Sequence, residues 1–177
     1  GQGSGVEGQG TPCSNLAPCP LPLAPGISLY RSTIAAQPLI AMDQQISLAE
    51  GGLIVVTDDG SSFSAELCSC LTGQGYRVAL TKVLDILEVL PLDQISGLVL
   101  VAPTEGTDDS FLQNGFQLLK QVAPGLKRAS REGGALFATV SRLDGTFGCQ
   151  EGAQLVDPLS GGLAGMSKTA RQEWPEV

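Results

Sequence analysis

The residues with the clearest chemical potential lie in one turn, Asp58-Asp59-Gly60, which directly follows the apolar run 53–57. A turn between a strand and a helix is where dinucleotide-binding domains let a pyrophosphate approach backbone amides, and this approach requires glycines spaced as G-x-G-x-x-G. Only Gly60 is present here, the adjoining carboxylates would repel a phosphate, and the bulky Phe63 follows closely. The turn therefore disfavours tight binding of NADPH.

Paired acids after a first strand also serve another chemistry, the divalent-ion site of the receiver domains of two-component signalling. That site needs a phospho-accepting Asp at the end of the third strand. The chain has Val-Ala-Pro at 101–103, and Asp108 comes several residues too late to complete a carboxylate cluster. The interpretation we favour is structural: Asp58 and Asp59 form a solvated turn and cap the helix that follows.

Hydroxyl groups and lysines offer a third chemistry, because short-chain reductases use Ser, Tyr and Lys to protonate a carbonyl oxygen. Tyr30 lies near the amino-terminal segment and Tyr76 opens a strand, and neither is followed by the required Lys or Asn spacing. Ser141 follows the fourth predicted strand, but without a tyrosine partner we interpret it as a loop hydroxyl. Ser167 and Lys168 could suggest a serine–lysine hydrolase, yet neighbouring residues of a helix point apart. We therefore assign no catalytic and no cofactor-binding residue.

The cysteines are predicted to be reduced thiols. They lie at positions 13, 19, 68, 70 and 149, an odd number, so at least one lacks an intrachain partner. Cys68 and Cys70 are close in sequence, but a zinc site would need further ligands in a chain that contains no histidine. We expect no metal site and interpret these two side chains as small packing residues of a helix.

Apolar, β-branched runs predict strands, and helical periodicity fills the intervals between them. The strands are predicted at 53–57, 76–80, 95–101 and 135–140. The helices are predicted from a Ser61-Ser62 cap to Gly73, from Asp108 to Arg131 with a possible kink at Pro124, and from Pro158 to Glu173. The segment 83–90 fits a helix or a connector equally.

The first two predicted helices carry apolar stripes. These stripes consist of Phe63, Leu67, Cys70 and Leu71, and of Phe111, Leu112, Phe116, Leu119 and Val122. Strands that alternate with such helices predict a doubly wound, mainly parallel α/β sheet of a truncated Rossmann-like type, joined by right-handed crossovers. The expected strand order is 3-2-1-4, half of a dinucleotide-binding fold.

Composition separates a first segment from the rest of the 177 residues. Residues 1–26 consist largely of Gly, Pro, Ser and Gln and are predicted to be a flexible linker, while 27–177 form one domain. A formal net charge of −8 and the lack of a Lys/Arg run disfavour nucleic acid as a partner. No apolar run approaches the ~20 residues that cross a bilayer, and no signal-peptide pattern opens the chain, so we expect no membrane partner and a cytoplasmic location.

Two segments carry a resemblance to a known family. The segment 161–175, GGLAGMSKTARQEWP, resembles the pattern G-L-x-K/R-T-x-x-x-E-W/H-P that ends the structural subdomain of ketoreductases in modular polyketide synthases and polyunsaturated fatty acid synthases. The segment 29–34, LYRSTI, is similar to the L-Y-R-x-x-W strand that opens the same subdomain, with Ile34 in place of the aromatic residue. The resemblance covers residues 27–177.

The resemblance implies a degenerate, non-catalytic half of a reductase. In that family the other half binds NADPH and carries the Ser, Tyr and Lys or Asn, so no catalytic residue can be carried over to this chain. The implied partners are the catalytic ketoreductase subdomain of the same polypeptide and the acyl carrier protein of the synthase. The implied function is to stabilise the half that reduces β-ketoacyl chains, with NADPH bound there and no cofactor here.

A scaffold of this kind predicts an exposed apolar patch that includes Trp174, Met166 or Leu163, with Trp174 as a packing anchor at a helix end. The alternative is a small Rossmann-like domain that binds a nucleotide or phosphate at the strand ends near Asp58 and Thr104. A third possibility is that the chain docks carrier protein directly. The acidic net charge disfavours it, because carrier proteins are themselves usually acidic.

Overall fold

A computed structural model describes residues 47–143, 145 and 157–177. These residues contain the strands β1 (Leu53–Thr57), β2 (Arg77–Thr81), β3 (Ile95–Val101) and β4 (Leu136–Val140). They also contain the helices α1 (Ser62–Gly73), α2 (Ile86–Val89), α3 (Asp109–Glu132) and α4 (Gly161–Glu173), with short 3₁₀ turns at Leu92–Gln94 and Pro158–Ser160. The predicted linker and the segment 29–34 lie outside the described residues.

The described strands form one parallel sheet in the order β2-β1-β3-β4. The predicted α/β class with a doubly wound parallel sheet is confirmed, but the predicted order 3-2-1-4 is wrong. Every residue of β1 and β3 is buried, whereas β2 and β4 are partly exposed. The two most apolar strands therefore pair at the centre, and the connection from β2 to β3 crosses β1. This is the start of the other common doubly wound order, 2-1-3-4-5.

The alternation of side chains along the central strands divides the core between the two faces of the sheet. On the face that α3 and α4 cover, the strands contribute Val55, Leu98 and Leu100. These residues form one cluster with Leu118, Val122 and Leu126 of α3 and Leu163 of α4. Facing α1 are Ile54, Val56, Val99 and Val101, with Leu67, Cys68 and Leu71 packed against them. Right-handed crossovers that run in opposite directions from β1 and β3 produce this two-sided cover.

The side of helix α1 that packs on the sheet shares Leu67 and Leu71 with the predicted stripe, but it has Ser64 and Cys68 in place of Phe63 and Cys70. Ser64 is its buried residue, while Phe63 is 44% exposed and Cys70 is also exposed. Ser64 faces inward because its hydroxyl donates a hydrogen bond to Asp59. Phe116 of α3, which the predicted stripe also included, is 49% exposed.

Helix α3 runs so close to the backbone before β3 that position 125 has room for glycine alone. A Cβ added to Gly125 would lie 2.5 Å from the carbonyl oxygen of Leu92 and 3.3 Å from that of Ile95. The helix begins after the cap Asp108, whose carboxylate accepts the amide of Phe111 at 2.7 Å.

Candidate functional site

The Asp58-Asp59-Gly60 turn lies at the carboxyl end of β1, as predicted, but the side chain of Asp59 is 0% exposed. Its Oδ1 accepts the backbone amide of Ser61 at 3.1 Å and the hydroxyl of Ser64 at 2.7 Å. Its Oδ2 accepts the hydroxyl of Ser61 at 2.6 Å. The prediction of a solvated turn is wrong for Asp59, because these donors compensate the loss of water.

The capping of α1 also differs from the expectation for the aspartates. The hydroxyl of Ser61 accepts the amide of Phe63 at 3.2 Å, so Ser61 is the N-cap, as the Ser61-Ser62 pattern predicts. Asp58 instead accepts the amide of Gly60 at 3.0 Å and closes the turn, in which Gly60 has a φ of 77°. The positive φ is the reason for a glycine at this position.

Arg142, in the loop after β4, supplies the positive charge that Asp59 needs. Its Nη2 donates to Oδ2 of Asp59 in an ion pair, and its Nε donates to the carbonyl oxygen of Ala102 at 2.9 Å. The backbone amide of Arg142 donates to the hydroxyl of Ser160 at 3.2 Å. One side chain thus connects the carboxyl ends of β1, β3 and β4. Sequence analysis considered the neighbouring Ser141 and missed Arg142.

The environment of Asp59 lowers its pKa. Burial acts to raise the pKa, but the hydrogen bonds from Ser61 and Ser64 and the charge of Arg142 outweigh burial and lower it from 3.8 to about 2. Asp59 is therefore a permanent carboxylate at neutral pH. A group of this kind neither takes nor gives a proton in a reaction near pH 7.

A second buried aspartate extends the network toward α4. Asp157 is 5% exposed, and its Oδ2 accepts the amide of Thr107 at 3.0 Å and the Thr107 hydroxyl at 2.6 Å. Ser160, just before α4, donates its hydroxyl to the carbonyl oxygen of Asp157 at 2.8 Å. We call Asp59, Ser61, Ser64, Thr107, Arg142, Asp157 and Ser160 the carboxyl-end network. Within the described part of the chain, every buried side-chain oxygen and nitrogen has a hydrogen-bond partner.

The carboxyl-end network fills the position where a dinucleotide-binding domain holds a phosphate. Such a phosphate lies at the amino terminus of the helix after the first strand, on backbone amides and in the field of the helix dipole. Here the carboxylate of Asp59 accepts the amide of Ser61 and the hydroxyls beside it at the start of α1. The chain thus provides its own anion and its own counter-ion at this place.

An open cleft of about 290 Å³ lies outside the carboxyl ends of the central strands. Its lining includes the carboxylates of Asp58, Asp85 and Asp108 and one positive charge, Lys82. Open α/β sheets bind ligands at the point where the strand order reverses, here between β1 and β3. Nearby Thr104 is engaged, since its amide and its hydroxyl both donate to the carbonyl oxygen of Asp59, at 2.9 and 3.0 Å. The cleft is therefore in place but carries the wrong charge for a phosphate.

The other candidate residues are not brought together. Tyr76 precedes one edge strand, β2, and Ser141 follows the opposite edge strand, β4, while Tyr30 lies outside the described residues. Ser167 shares a 2.7 Å hydrogen bond with the hydroxyl of Thr139, whereas Lys168 is exposed. The hydrogen bonds of Ser167 within the described residues go to the Thr139 hydroxyl and to the carbonyl oxygen of Leu163, not to a lysine.

Metal binding finds no support in the residues that the structure describes. They contain no group of three His, Cys, Asp or Glu side chains able to hold a metal ion. Burial raises the pKa of the Cys68 thiol, and neither Cys68 nor Cys70 forms a disulfide. The pKa of Asp108 is lowered by the backbone hydrogen bond from Phe111 and the hydroxyl of Ser110, in keeping with its role as a cap.

A second surface feature is an apolar groove of about 440 Å³ between α3 and α4, on the face of the sheet that these two helices cover. We call this the α3–α4 groove; its walls include Phe116 on α3 and Met166 and Trp174 at α4. Met166 and Trp174, which were predicted to belong to an exposed patch, are half-buried and pack against the core. Leu163, the other residue proposed for the patch, is 0% exposed and belongs to the core, because it lies on the side of α4 that faces the sheet.

Comparisons of the chain with protein-family models, curated proteins and solved structures find no match. The resemblance of segments 29–34 and 161–175 to ketoreductase subdomains therefore stays a prediction. The membrane prediction is tested only in part: in the described residues, no helix is both long enough and apolar enough to cross a bilayer.

Proposed function

We propose that this chain is the non-catalytic structural subdomain of a ketoreductase from a polyketide or polyunsaturated fatty acid synthase. In this role it packs against and stabilises the NADPH-dependent half that reduces β-ketoacyl chains on an acyl carrier protein. The observation that carries the proposal is the carboxylate of Asp59 at the start of α1, where a nucleotide-binding half would hold a phosphate. The choice of family rests on the resemblance of the segments 29–34 and 161–175 to ketoreductase structural subdomains.

The carboxyl-end network suits a scaffold. Arg142 links the ends of three strands, and Ser160 and Asp157 connect the same network to the start of α4. Buried polar networks with every group paired hold the elements that they join in one arrangement. In this proposal, the polar groups at the carboxyl ends of the strands bind each other and hold α4 against the sheet, instead of binding a cofactor.

The residues present do not fit a resident NADPH. The first-strand turn lacks the spaced glycines that let a pyrophosphate reach the backbone, and Asp59 already occupies the amino terminus of α1. The same facts weigh against the rival function, a small nucleotide- or phosphate-binding domain, because the cleft beside Asp58 is lined mainly by carboxylates. Nucleotide chemistry belongs to the partner half in this proposal.

The test is thermal unfolding with and without ligands. We expect NADPH, and ATP with Mg²⁺, to leave the melting temperature of this chain unchanged at millimolar concentration. A separately expressed ketoreductase catalytic subdomain, titrated with NADPH, serves as the positive control, since a ligand at 100 times its Kd stabilises by about 2.7 kcal/mol. Mixed with that subdomain, this chain should co-elute and melt at a higher temperature. A melting temperature that rises with NADPH or ATP for this chain alone contradicts the proposal.

A further inference from the structure

The α3–α4 groove has apolar walls that remain accessible to solvent. Phe116 is 49% exposed on one wall, and Met166 and Trp174 are half-buried on the other. Aromatic residues in a concave, partly desolvated site are typical centres of binding energy in protein interfaces. The groove is thus shaped for apolar side chains of a partner.

Positive charge lies along the α3 side of this groove. Lys120, Lys127 and Arg131 are spaced by seven and four residues, which places them on one flank of the helix. The Nζ of Lys120 is 5.7 Å from the ring centre of Phe116, and the Nζ of Lys127 is 5.1 Å from that of Trp174. The ion pairs among described residues are Arg128 with Glu132 and Arg142 with Asp59, so these three cations pair with no described carboxylate.

Fewer carboxylates line the α3–α4 groove than line the cleft at the carboxyl ends of the strands. The cleft at the carboxyl ends of the strands has three aspartates in its lining, whereas the lining of the α3–α4 groove has one carboxylate, Glu173. Lys120 in the lining and Lys127 over the Trp174 ring give the groove and its edge two cations against the one carboxylate of Glu173. Exposed charges more than a Debye length away, ~8 Å in physiological salt, are largely screened, so a partner helix meets this local balance.

We propose that the α3–α4 groove binds an acidic amphipathic helix of a partner protein. The apolar residues of that helix lie between Phe116, Met166 and Trp174, and its carboxylates pair with Lys120 and Lys127. A flat anionic membrane would leave the concave walls between the helices unfilled. The inference deepens the proposed function, on which it rests for the expectation that a partner docks on this chain, and it names the docking surface and the chemistry of its occupant.

Trp174 makes a direct assay possible, because it is the one tryptophan of the chain and lies in the groove wall. The probe is a helical peptide with Leu at positions i, i+3, i+4 and i+7 and Glu elsewhere, without aromatic residues. A peptide with Lys in place of every Glu is the matched control. We expect the acidic peptide to change the emission of Trp174 in the full chain with a Kd on the order of 10 μM, weakening as salt is raised, and the basic peptide to leave it unchanged.

Charge-reversed variants locate the site. Lys120→Glu and Lys127→Glu should each weaken binding of the acidic peptide by about tenfold, whereas Lys168→Glu should weaken it by less than about twofold. Lys168 is exposed on α4 outside the groove lining and undergoes the same change in charge. All three positions are on helix surfaces, and circular dichroism checks that each variant is folded.

Three outcomes overturn the inference: no emission change with the acidic peptide, an equal response to both peptides, or an equal loss in the Lys168→Glu control. A response to vesicles of phosphatidylserine and phosphatidylcholine without one to the acidic peptide also overturns it, in favour of a membrane. Each of these results leaves the proposed function standing. A rise in melting temperature with NADPH, by contrast, contradicts the proposed function and leaves the peptide result valid.

Discussion

The carboxyl-end network and the α3–α4 groove both contain charged side chains, but the carboxylates of the network are buried and hydrogen-bonded, whereas the lysines at the groove are accessible and have no described carboxylate partner. In the network, the carboxylate of Asp59 is 0% exposed and accepts hydrogen bonds from Ser61, Ser64 and Arg142. In the groove lining, Lys120 lies over the exposed Phe116, and at the edge of the groove Lys127 lies over the Trp174 ring; neither lysine pairs with a described carboxylate. The first region is complete within this chain, and the second has capacity left for another molecule.

The difference separates stability from function. A buried polar network with every group paired maintains the fold and offers nothing to a ligand, whereas an apolar patch with unpaired charge at its rim is typical of a binding surface. Helix α4 connects the two regions, since Ser160 at its start joins the network and Trp174 at its end lines the groove. We therefore expect substitutions in the network or core to affect unfolding and substitutions in the groove to affect binding.

The largest contrast is expected between two apolar residues. Leu163→Ala removes a fully buried side chain and should lower the free energy of unfolding by about 3 kcal/mol, since Leu→Ala in a core costs 2–5 kcal/mol. Phe116→Ala, at the groove, should cost less than about 1 kcal/mol, because Phe116 already contacts water in the folded state. Urea unfolding of both variants gives the comparison. Equal losses would mean that Phe116 is a core residue and that the groove is part of the fold.

The next contrast is between two arginines. Arg142→Met should lower the free energy of unfolding by about 3 kcal/mol, because it leaves the buried carboxylate of Asp59 without its counter-ion. Arg128→Met breaks the ion pair with Glu132, in which both side chains are about half exposed, and should cost less than about 0.5 kcal/mol. Chemical denaturation measures both. If Arg142→Met proved as mild as the control, Asp59 would be stabilised by its serine hydrogen bonds alone.

The sequence predicted individual elements better than their arrangement. β1 and β3 have the predicted boundaries because both are rich in apolar, β-branched residues and end close to turn signals, Asp58-Asp59-Gly60 after β1 and Pro103 after β3. The pairing of β1 with β3 was not predicted. Strand order depends on which strands are covered by helices on both faces, and the local sequence pattern of a strand does not show this. The burial of all of β1 and β3 marks them as the central pair once the sheet is seen.

The candidate site was located but its chemistry was misjudged. The sequence indicated the turn after β1, and Asp59 lies there, yet one of the partners of its buried carboxylate is Arg142, which is 83 residues away along the chain. Phe63 was assigned to the packed stripe of α1 because apolar spacing cannot reveal that Ser64 turns inward to reach Asp59. Long-range polar pairs of this kind leave no periodic signal in a single sequence.

The pH dependence of stability should show the network directly. The pKa of Asp59 falls from 3.8 to about 2 on folding, so its contribution is present above pH 4 and is lost as the pH falls from 4 toward 2. The contribution is about 2 kcal/mol, at 1.36 kcal/mol for each unit of pKa. The stability difference between the wild type and Asp59→Asn should therefore shrink between pH 5 and pH 2, measured by urea unfolding.

The control for the pH experiment is Asp108→Asn, at an exposed cap where asparagine serves equally well. The pKa of Asp108 is also lowered, by its hydrogen bonds from Phe111 and Ser110, but the side chain is exposed to solvent, so this variant should change the acid-side slope less than Asp59→Asn does. A slope that stays unchanged in Asp59→Asn would mean that other carboxylates dominate acid unfolding.

The smallest effect concerns the contact of Lys127 with Trp174 at the edge of the α3–α4 groove. Lys127→Gln removes a charge 5.1 Å from the ring centre and should cost about 0.5 kcal/mol, the value for an exposed cation–π pair. The emission of Trp174 should shift in the same variant, while Lys168→Gln, at an exposed site outside the groove lining, should leave both stability and emission unchanged. If Lys127→Gln instead cost as much as Arg142→Met, the groove would be as tightly coupled to folding as the network, and the division between the two regions would fail. A small loss with a clear emission change would place Lys127 at the rim of a surface that is formed in the folded chain and open to a partner.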